Sequence, residues 1–219
     1  LLSFPENPED SNTECEQCTR RTSPLMSVWA KMMKGFISLY NGLTIIGQEN
    51  IPASGPFILA PNHQSFMDGP VAMAGLTSEQ IRNSFFYATE EHVRGSLRRT
   101  LARRNNVIIM ERARLKESIM EMASVLKRGQ NLVIFPEGTR TRTGFVGEFK
   151  KTFAILATEL NIPIVPVRIS GAYEAWPRSK KLPSPKPVKV EYLKPIMPKA
   201  EQEDYDALAN RVRKAIVGE

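Results

Sequence analysis

The chain has 219 residues, 42% of them hydrophobic and 24% charged, with 30 Lys and Arg against 23 Asp and Glu for a net charge of +7. That is an ordinary globular composition, enough for one domain with its own core. The longest apolar runs, VIIM and LVIF, fall far short of the roughly 20 residues that span a bilayer, and the basic excess points to an anionic partner: nucleic acid, lipid headgroups or a phosphorylated substrate.

Residues 1–24 are rich in Pro, Ser, Thr, Asn and acid and read as a polar leader or linker. They lack a secretory layout and an initiator Met, which suggests a piece of a longer chain. Cys15 and Cys18 are the only cysteines. A zinc site needs about four ligands, and His63 and His92 are distant in sequence, so this pair reads as incidental thiols in a reducing compartment.

Residues 25–219 read as the folded domain. In SPLMSVWAKMMKGFISLY, the residues Leu25, Val28, Trp29, Met32, Met33, Phe36 and Ile37 recur at helical spacing. Such a helix packs on its own domain, lies in a membrane interface with Trp29 and Phe36 in the headgroup layer and Lys31 and Lys34 near phosphates, or does both. Strands follow at LTIIG, FILA (57–60) and SFFYA (84–88), then a basic helix near 94–104 and the strand VIIM (107–110). Leu115, Ile119, Met122 and Leu126 predict a helix stopped by Gly129. LVIF (132–135) is the next strand, and Phe149, Phe153, Leu156 and Leu160 mark another helix. IVPVRI (164–169) and VKVEYL (188–193) are further strands, separated by the basic, Pro-rich loop WPRSKKLPSPKP (176–187). Tyr205, Leu208, Val212 and Ile216 predict a closing helix. Strands alternating with helices predict a single layered α/β domain with a mostly parallel central sheet flanked by helices, plus the N-terminal amphipathic helix.

Two stretches carry chemistry. In PNHQSFMD (61–68), Pro61 is expected to end the FILA strand and to leave His63 at its C-terminal edge, where α/β sheets place ligands. Asp68 is five residues on, about 140° around a regular helix. The two can meet only in a turn that leads into a helix, and Gly69 and Pro70 suit such a turn. A carboxylate on one ring nitrogen would set the tautomer and let the other nitrogen take a proton from a hydroxyl. No G-x-S-x-G elbow is present, so a substrate hydroxyl is the simplest nucleophile.

In FPEGTR (135–140), Pro136 and Gly138 predict a tight turn after the LVIF strand. Arg140 suits bidentate phosphate binding, with Thr139 and the turn's amides assisting. Glu137 is expected to orient Arg140 or to bond a substrate hydroxyl. Arg112 follows VIIM, so a third strand end would deliver a third polar group. Nucleic-acid binding fits the charge alone, since no aromatic-studded sheet, helix-turn-helix or zinc knuckle pattern is present.

These blocks resemble the glycerolipid acyltransferases typified by bacterial lysophosphatidic acid acyltransferase. NHQSFMD resembles an H-x-x-x-x-D block, VIIMER a second, FPEGTR a third and IPIVPV (162–167) a fourth, within a match of about 43–194. The resemblance implies that His63 is the general base and that Asp68 orients it. It implies that the acceptor alkoxide attacks an acyl-CoA or acyl carrier protein thioester. It assigns Arg112, Glu137, Gly138, Thr139 and Arg140 to the glycerol-phosphate site, with no metal, no other cofactor and no covalent acyl-enzyme. The expected acceptor is 1-acyl-glycerol 3-phosphate, giving phosphatidic acid. The alternative is the acyltransferase part of a bifunctional acyl-activating enzyme that uses another lysophospholipid or glycerol 3-phosphate. Family members work peripherally on the cytoplasmic face of the inner membrane. Asn106 stands where the family often has Gly, Thr152 where Gly commonly follows the lysines, and Glu90 and Glu91 where Lys is usual. Eight Lys and Arg against one acid between His92 and Lys116 suit an anionic membrane or an acidic carrier protein, and Lys150 and Lys151 extend that patch as acyl-donor or membrane contacts.

Overall fold

The computed structural model describes residues 24–89, 100, 106–110, 114–199 and 204–219. Cys15, Cys18, Glu90, Glu91, His92, Arg112 and most of the basic 94–104 stretch lie outside the described residues.

Seven strands make one sheet in the order β1-β7-β6-β2-β5-β3-β4. They are β1 (Thr44–Ile46), β2 (Ile58–Pro61), β3 (Ser84–Thr89), β4 (Val107–Met110), β5 (Asn131–Val133), β6 (Ile164–Ser170) and β7 (Lys189–Tyr192). All neighbours pair in parallel except β6 and β7. Helices α1 (Pro24–Asn41), α2 (Asp68–Met73) and α3 (Ser78–Arg82) precede β3; α4 (Leu115–Lys127), α5 (Thr152–Leu160), α6 (Ala172–Ala175) and α7 (Tyr205–Val217) follow β4.

Side chains alternate across a strand, so β2 feeds two cores. Ile58 and Ala60 pack with α4, α5 and α7 through Met122, Leu126, Phe153, Leu156, Leu208 and Val212. Leu59 packs on the other face with α1, α2 and α3 through Ile37, Val71, Met73 and Ile81. Burial on both faces is the reason the central strands read as continuous apolar runs rather than alternating ones.

The structure departs from the sequence expectation in several places. Pro61 does not break the ladder after Ala60: it is the last residue of β2 and pairs with Val167, and the Asn62 N–H beyond it donates to the Val167 carbonyl at 3.3 Å. A proline is tolerated there because the N–H groups of Ile58 and Asn62 face β6, so the donor missing at Pro61 falls on the β5 side, where pairing ends at Leu59 and Val133. β5 stops at Val133, before Ile134 and Phe135. Leu115 is 47% exposed, at the first turn of α4, while Ile119, Met122 and Leu126 are buried. Asn106 adopts φ 57, the left-handed region that Asn enters at less cost than most side chains. Its Nδ2 donates to the carbonyls of Arg82 and Ser84, which accounts for Asn where the family often has Gly.

Helix α1 divides the apolar residues that periodicity groups together. Met26, Ala30 and Ile37 are buried against the domain, whereas Leu25, Val28, Trp29, Met32, Phe36 and Leu39 are exposed. Among the described residues, no helix is long and apolar enough to cross a membrane.

Candidate active site

β2 and β5 are parallel neighbours, so the segments that leave their C-terminal ends emerge side by side. One carries His63 and the other carries Glu137, Gly138, Thr139 and Arg140. Asn62, 1% exposed, pins the first to β6 by exchanging two hydrogen bonds with Ile169, at 2.7 Å and 3.0 Å. Glu137 pins the second to the first: its Oε1 accepts the His63 amide at 2.7 Å and its Oε2 accepts the Gly147 amide at 2.9 Å. Thr141 N–H closes the link by donating to the His63 carbonyl at 2.8 Å.

His63 and Asp68 meet because Asp68 is the first residue of α2, so its side chain folds back over residues 63–65. Gly69 and Pro70, expected in a turn before the helix, lie inside its first turn, where Pro costs no hydrogen bond. Asp68 Oδ2 accepts from three donors, His63 Nδ1 at 2.8 Å, Gln64 N at 2.5 Å and Ser65 N at 2.6 Å. The His63 ring is 20% exposed and stacks on Phe135, with centroids 4.1 Å apart. With Nδ1 engaged, Nε2 is the nitrogen left for a substrate.

Burial drives the electrostatics. It pushes the fully buried Asp68 carboxyl up, against the pull of the His63 hydrogen bond and charge and of the Ser65 and Gln64 amides. It also pushes Glu137 up, opposed by the Gly147 and His63 amides. Three donors converging on one oxygen suit an acceptor-only carboxylate, which places the proton on the imidazole Nδ1.

Arg140 is 9% exposed, with its guanidinium carbon 3.5 Å above the Phe66 ring. Its Nη1 is buried with no hydrogen-bond partner among the described residues. Burial lowers its pKa, nearby Arg178 lowers it further and Asp68 acts the other way. A buried cationic donor without an acceptor is costly, and an anion at this position would relieve that cost. Glu137 does not orient Arg140: both of its oxygens face backbone amides instead. Gly138 has φ +69 and sits under the end of Lys150, whose Nζ would lie 2.7 Å from a Cβ there. Thr139 is exposed on the same turn.

The site therefore gathers His63, Asp68, Glu137, Gly138, Thr139, Arg140 and Lys150. Lys151 is drawn elsewhere, pairing with Asp206 on α7 at 3.3 Å. Trp29 and Phe36 belong to the exposed face of α1, at 44% and 51% exposure. Sequence reasoning missed Phe66, which covers Arg140, and Ser65, whose Oγ donates to the Trp176 carbonyl at 2.8 Å. It also missed Gln64, which ties the 141–150 segment through the Gly144 carbonyl at 3.1 Å. All three lie between His63 and Asp68, and the density of polar and aromatic groups there was the available signal.

A family model described as Acyltransferase matches residues 42–170. The 1-acyl-sn-glycerol-3-phosphate acyltransferase of Cocos nucifera is 43% identical over 81 residues, 36% of this chain and 26% of that protein. The 1-acyl-sn-glycerol-3-phosphate acyltransferase alpha of Homo sapiens is 26% identical over 176 residues, 78% of this chain and 61% of that protein. The matches thus span less than two thirds of these relatives' lengths. The crystal structure of the 1-acyl-sn-glycerophosphate (LPA) acyltransferase PlsC from Thermotoga maritima is similar with a TM-score of 0.71 and 28% identity, over 85% of this chain and 76% of that one.

Proposed function

The chain belongs to the Acyltransferase family, and from that premise we propose that it transfers a fatty acyl group from an acyl thioester to the free hydroxyl of 1-acyl-glycerol 3-phosphate, making phosphatidic acid. The observation that carries this reading is the placement of the His63–Asp68 pair beside Arg140, a buried guanidinium with an unsatisfied donor.

In this reading His63 Nε2 takes the proton from the acceptor hydroxyl while Asp68 holds Nδ1–H and supports the imidazolium that forms. The alkoxide attacks the thioester carbonyl, the C–S bond breaks, and the imidazolium returns its proton to the leaving thiolate. Arg140 takes the acceptor's phosphate, assisted by the 138–140 turn and Lys150. Glu137 sets the position of His63 through its backbone.

The lipid substrates supply the reason for the exposed face of α1. A stripe that bears Trp29, Met32, Phe36 and Leu39, on a helix whose polar side carries exposed Lys31 and half-buried Lys34, fits a helix lying in the headgroup layer of an anionic membrane. The enzyme would then act peripherally, at a cytoplasmic membrane surface.

The test is acyl transfer from a labelled long-chain acyl-CoA and from the matching acyl carrier protein. Lysophosphatidic acid, glycerol 3-phosphate and lysophosphatidylethanolamine are the acceptors. His63-dependent product with lysophosphatidic acid is expected, with loss of a factor of about 10²–10⁴ in His63→Ala. Retention of more than a few per cent of activity in that variant would remove the general-base role.

A further inference from the structure

The loop 176–187 touches the site described above through Trp176 and the charge of Arg178, and it is fixed at both ends to parts that matter to that site or to α1. At its foot the Trp176 carbonyl accepts from Ser65 Oγ at 2.8 Å, and the indole packs on Phe66 with centroids 5.3 Å apart. On its far limb, Asn41 at the end of α1 donates to the carbonyls of Ser184 and Lys186, both at 2.9 Å. Tyr40 donates from its hydroxyl to the Pro183 carbonyl at 3.2 Å, while its ring stacks on Phe36 at 5.5 Å. The exposed apolar face of α1 therefore runs through Phe36 and Tyr40 into the tip of the loop.

Next to Pro183 stands Leu182, 77% exposed. Around it the loop carries Arg178, Lys180, Lys181 and Lys186, and no acid between residues 176 and 187. The loop is also built to hold its shape: Trp176 Nε1 donates to the Lys180 carbonyl at 3.1 Å, Lys180 Nζ to Ser184 Oγ at 3.3 Å, and Ser184 N to the Ala175 carbonyl at 2.7 Å. An apolar tip within a one-sign basic collar, continuous with an amphipathic helix, is complementary to a bilayer that contains anionic phospholipid.

We propose that loop 176–187 is a second membrane-contacting element, in which Leu182 enters the boundary between headgroups and acyl chains while Lys181 and Lys186 sit on anionic headgroups. This rests on the membrane reading of α1 given above and extends it. Through Ser65, Phe66 and Trp176 the loop ties the lipid surface to the turn that carries His63, so a membrane-resident acceptor would be met by a site held at a fixed height above the bilayer.

Sedimentation of the purified chain with phosphatidylcholine vesicles, with and without phosphatidylglycerol, tests the proposal. The variants are Leu182→Asp, Lys181→Ala/Lys186→Ala and, on α1, Trp29→Ala/Phe36→Ala. Thermal melting and turnover of a micellar acceptor serve as controls for folding. The lysine pair is expected to weaken binding about thirtyfold on anionic vesicles and little on neutral ones, and Leu182→Asp is expected to weaken both. If the loop variants bind as wild type while the α1 variant does not, the loop proposal is overturned and the α1 reading stands. Wild-type binding by all the variants, or none by the parent chain, overturns both. Intact vesicle binding with loss of affinity for acyl carrier protein would make the loop a protein-docking surface and overturn the lipid assignment.

Discussion

Glu137 and His63 are joined through the backbone, with Glu137 Oε1 accepting the His63 amide at 2.7 Å while Oε2 holds the amide of Gly147. One carboxyl thus locks the two segments that leave β2 and β5, fixing where the imidazole sits relative to the 136–150 segment.

Replacing Glu137 with Gln presents an NH₂ to one of two backbone donors that need acceptors. One segment shifts, and a displacement of about 1 Å at a reacting group costs about a hundredfold in rate. Steady-state kinetics on Glu137→Gln should show kcat lowered by about 10- to 100-fold with the acceptor KM little changed. A raised KM with kcat intact would instead mean that Glu137 bonds the acceptor hydroxyl directly.

Burial raises the pKa of both Asp68 and Glu137, so each favours the folded state more when protonated. That contribution is present below the ordinary carboxylate range and is lost as pH rises through the raised values. The Tm of the parent chain relative to Glu137→Gln should therefore rise as pH is lowered from 7 to about 4. A difference that stays flat or falls would show that the two amides outweigh burial at Glu137.

Asp68→Asn keeps the shape of the side chain and can keep a carbonyl oxygen where three donors converge on Oδ2, with its NH₂ in the place of Oδ1, which has no partner among the described residues. What it removes is the negative charge that supports the imidazolium, and kcat should fall by about 10²–10⁴. The melting temperature should change little, since the three donors keep their acceptor. Activity within a few-fold of the parent would separate Asp68 from the proton transfer.

Arg140→Ala should raise the acceptor KM by about 10- to 100-fold, the worth of a charge-assisted hydrogen bond, and leave the acyl-donor KM unchanged. Arg140→Lys should not restore it, because an ammonium neither lies flat on Phe66 nor binds a phosphate through two nitrogens. An equal rise for donor and acceptor would argue against a phosphate site here.

The Tyr192 hydroxyl bonds the backbone of residues 72 and 75 rather than a site side chain, and it provides a stability test. Its buried hydroxyl accepts from Gly75 N at 2.8 Å and donates to the Ala72 carbonyl at 3.0 Å, joining β7 to the end of α2. Tyr192→Phe strands both partners and should cost about 1–3 kcal/mol in denaturant unfolding, with activity per folded molecule unchanged. A cost under about 0.5 kcal/mol would mean that water replaces the hydroxyl.

The order of the elements and the layered α/β class were legible in the sequence, because hydrophobic periodicity is a local property that burial on one or two faces imprints on each segment. All seven strands lie on segments that read as strands, and α4, α5 and α7 on segments that read as helices. The short helices α2, α3 and α6 were not legible, since helices of four to six residues show too little periodicity to read. That His63 and the FPEGTR turn share one sheet edge also followed from local reasoning about strand ends.

What the groups at that edge bond to was decided only by the tertiary structure. Whether His63 reaches Asp68 depends on where α2 begins, and the Gln64 and Ser65 amides that share Asp68 follow from the same start. Glu137 turned from Arg140 to two backbone amides because folding brought unpaired N–H groups of His63 and Gly147 within its reach, and a buried donor without an acceptor costs more than an ion pair contributes. Which residues of α1 face solvent depended on how the helix rolls against α2 and α3, a choice that its apolar arc, wider than one contact face covers, leaves open.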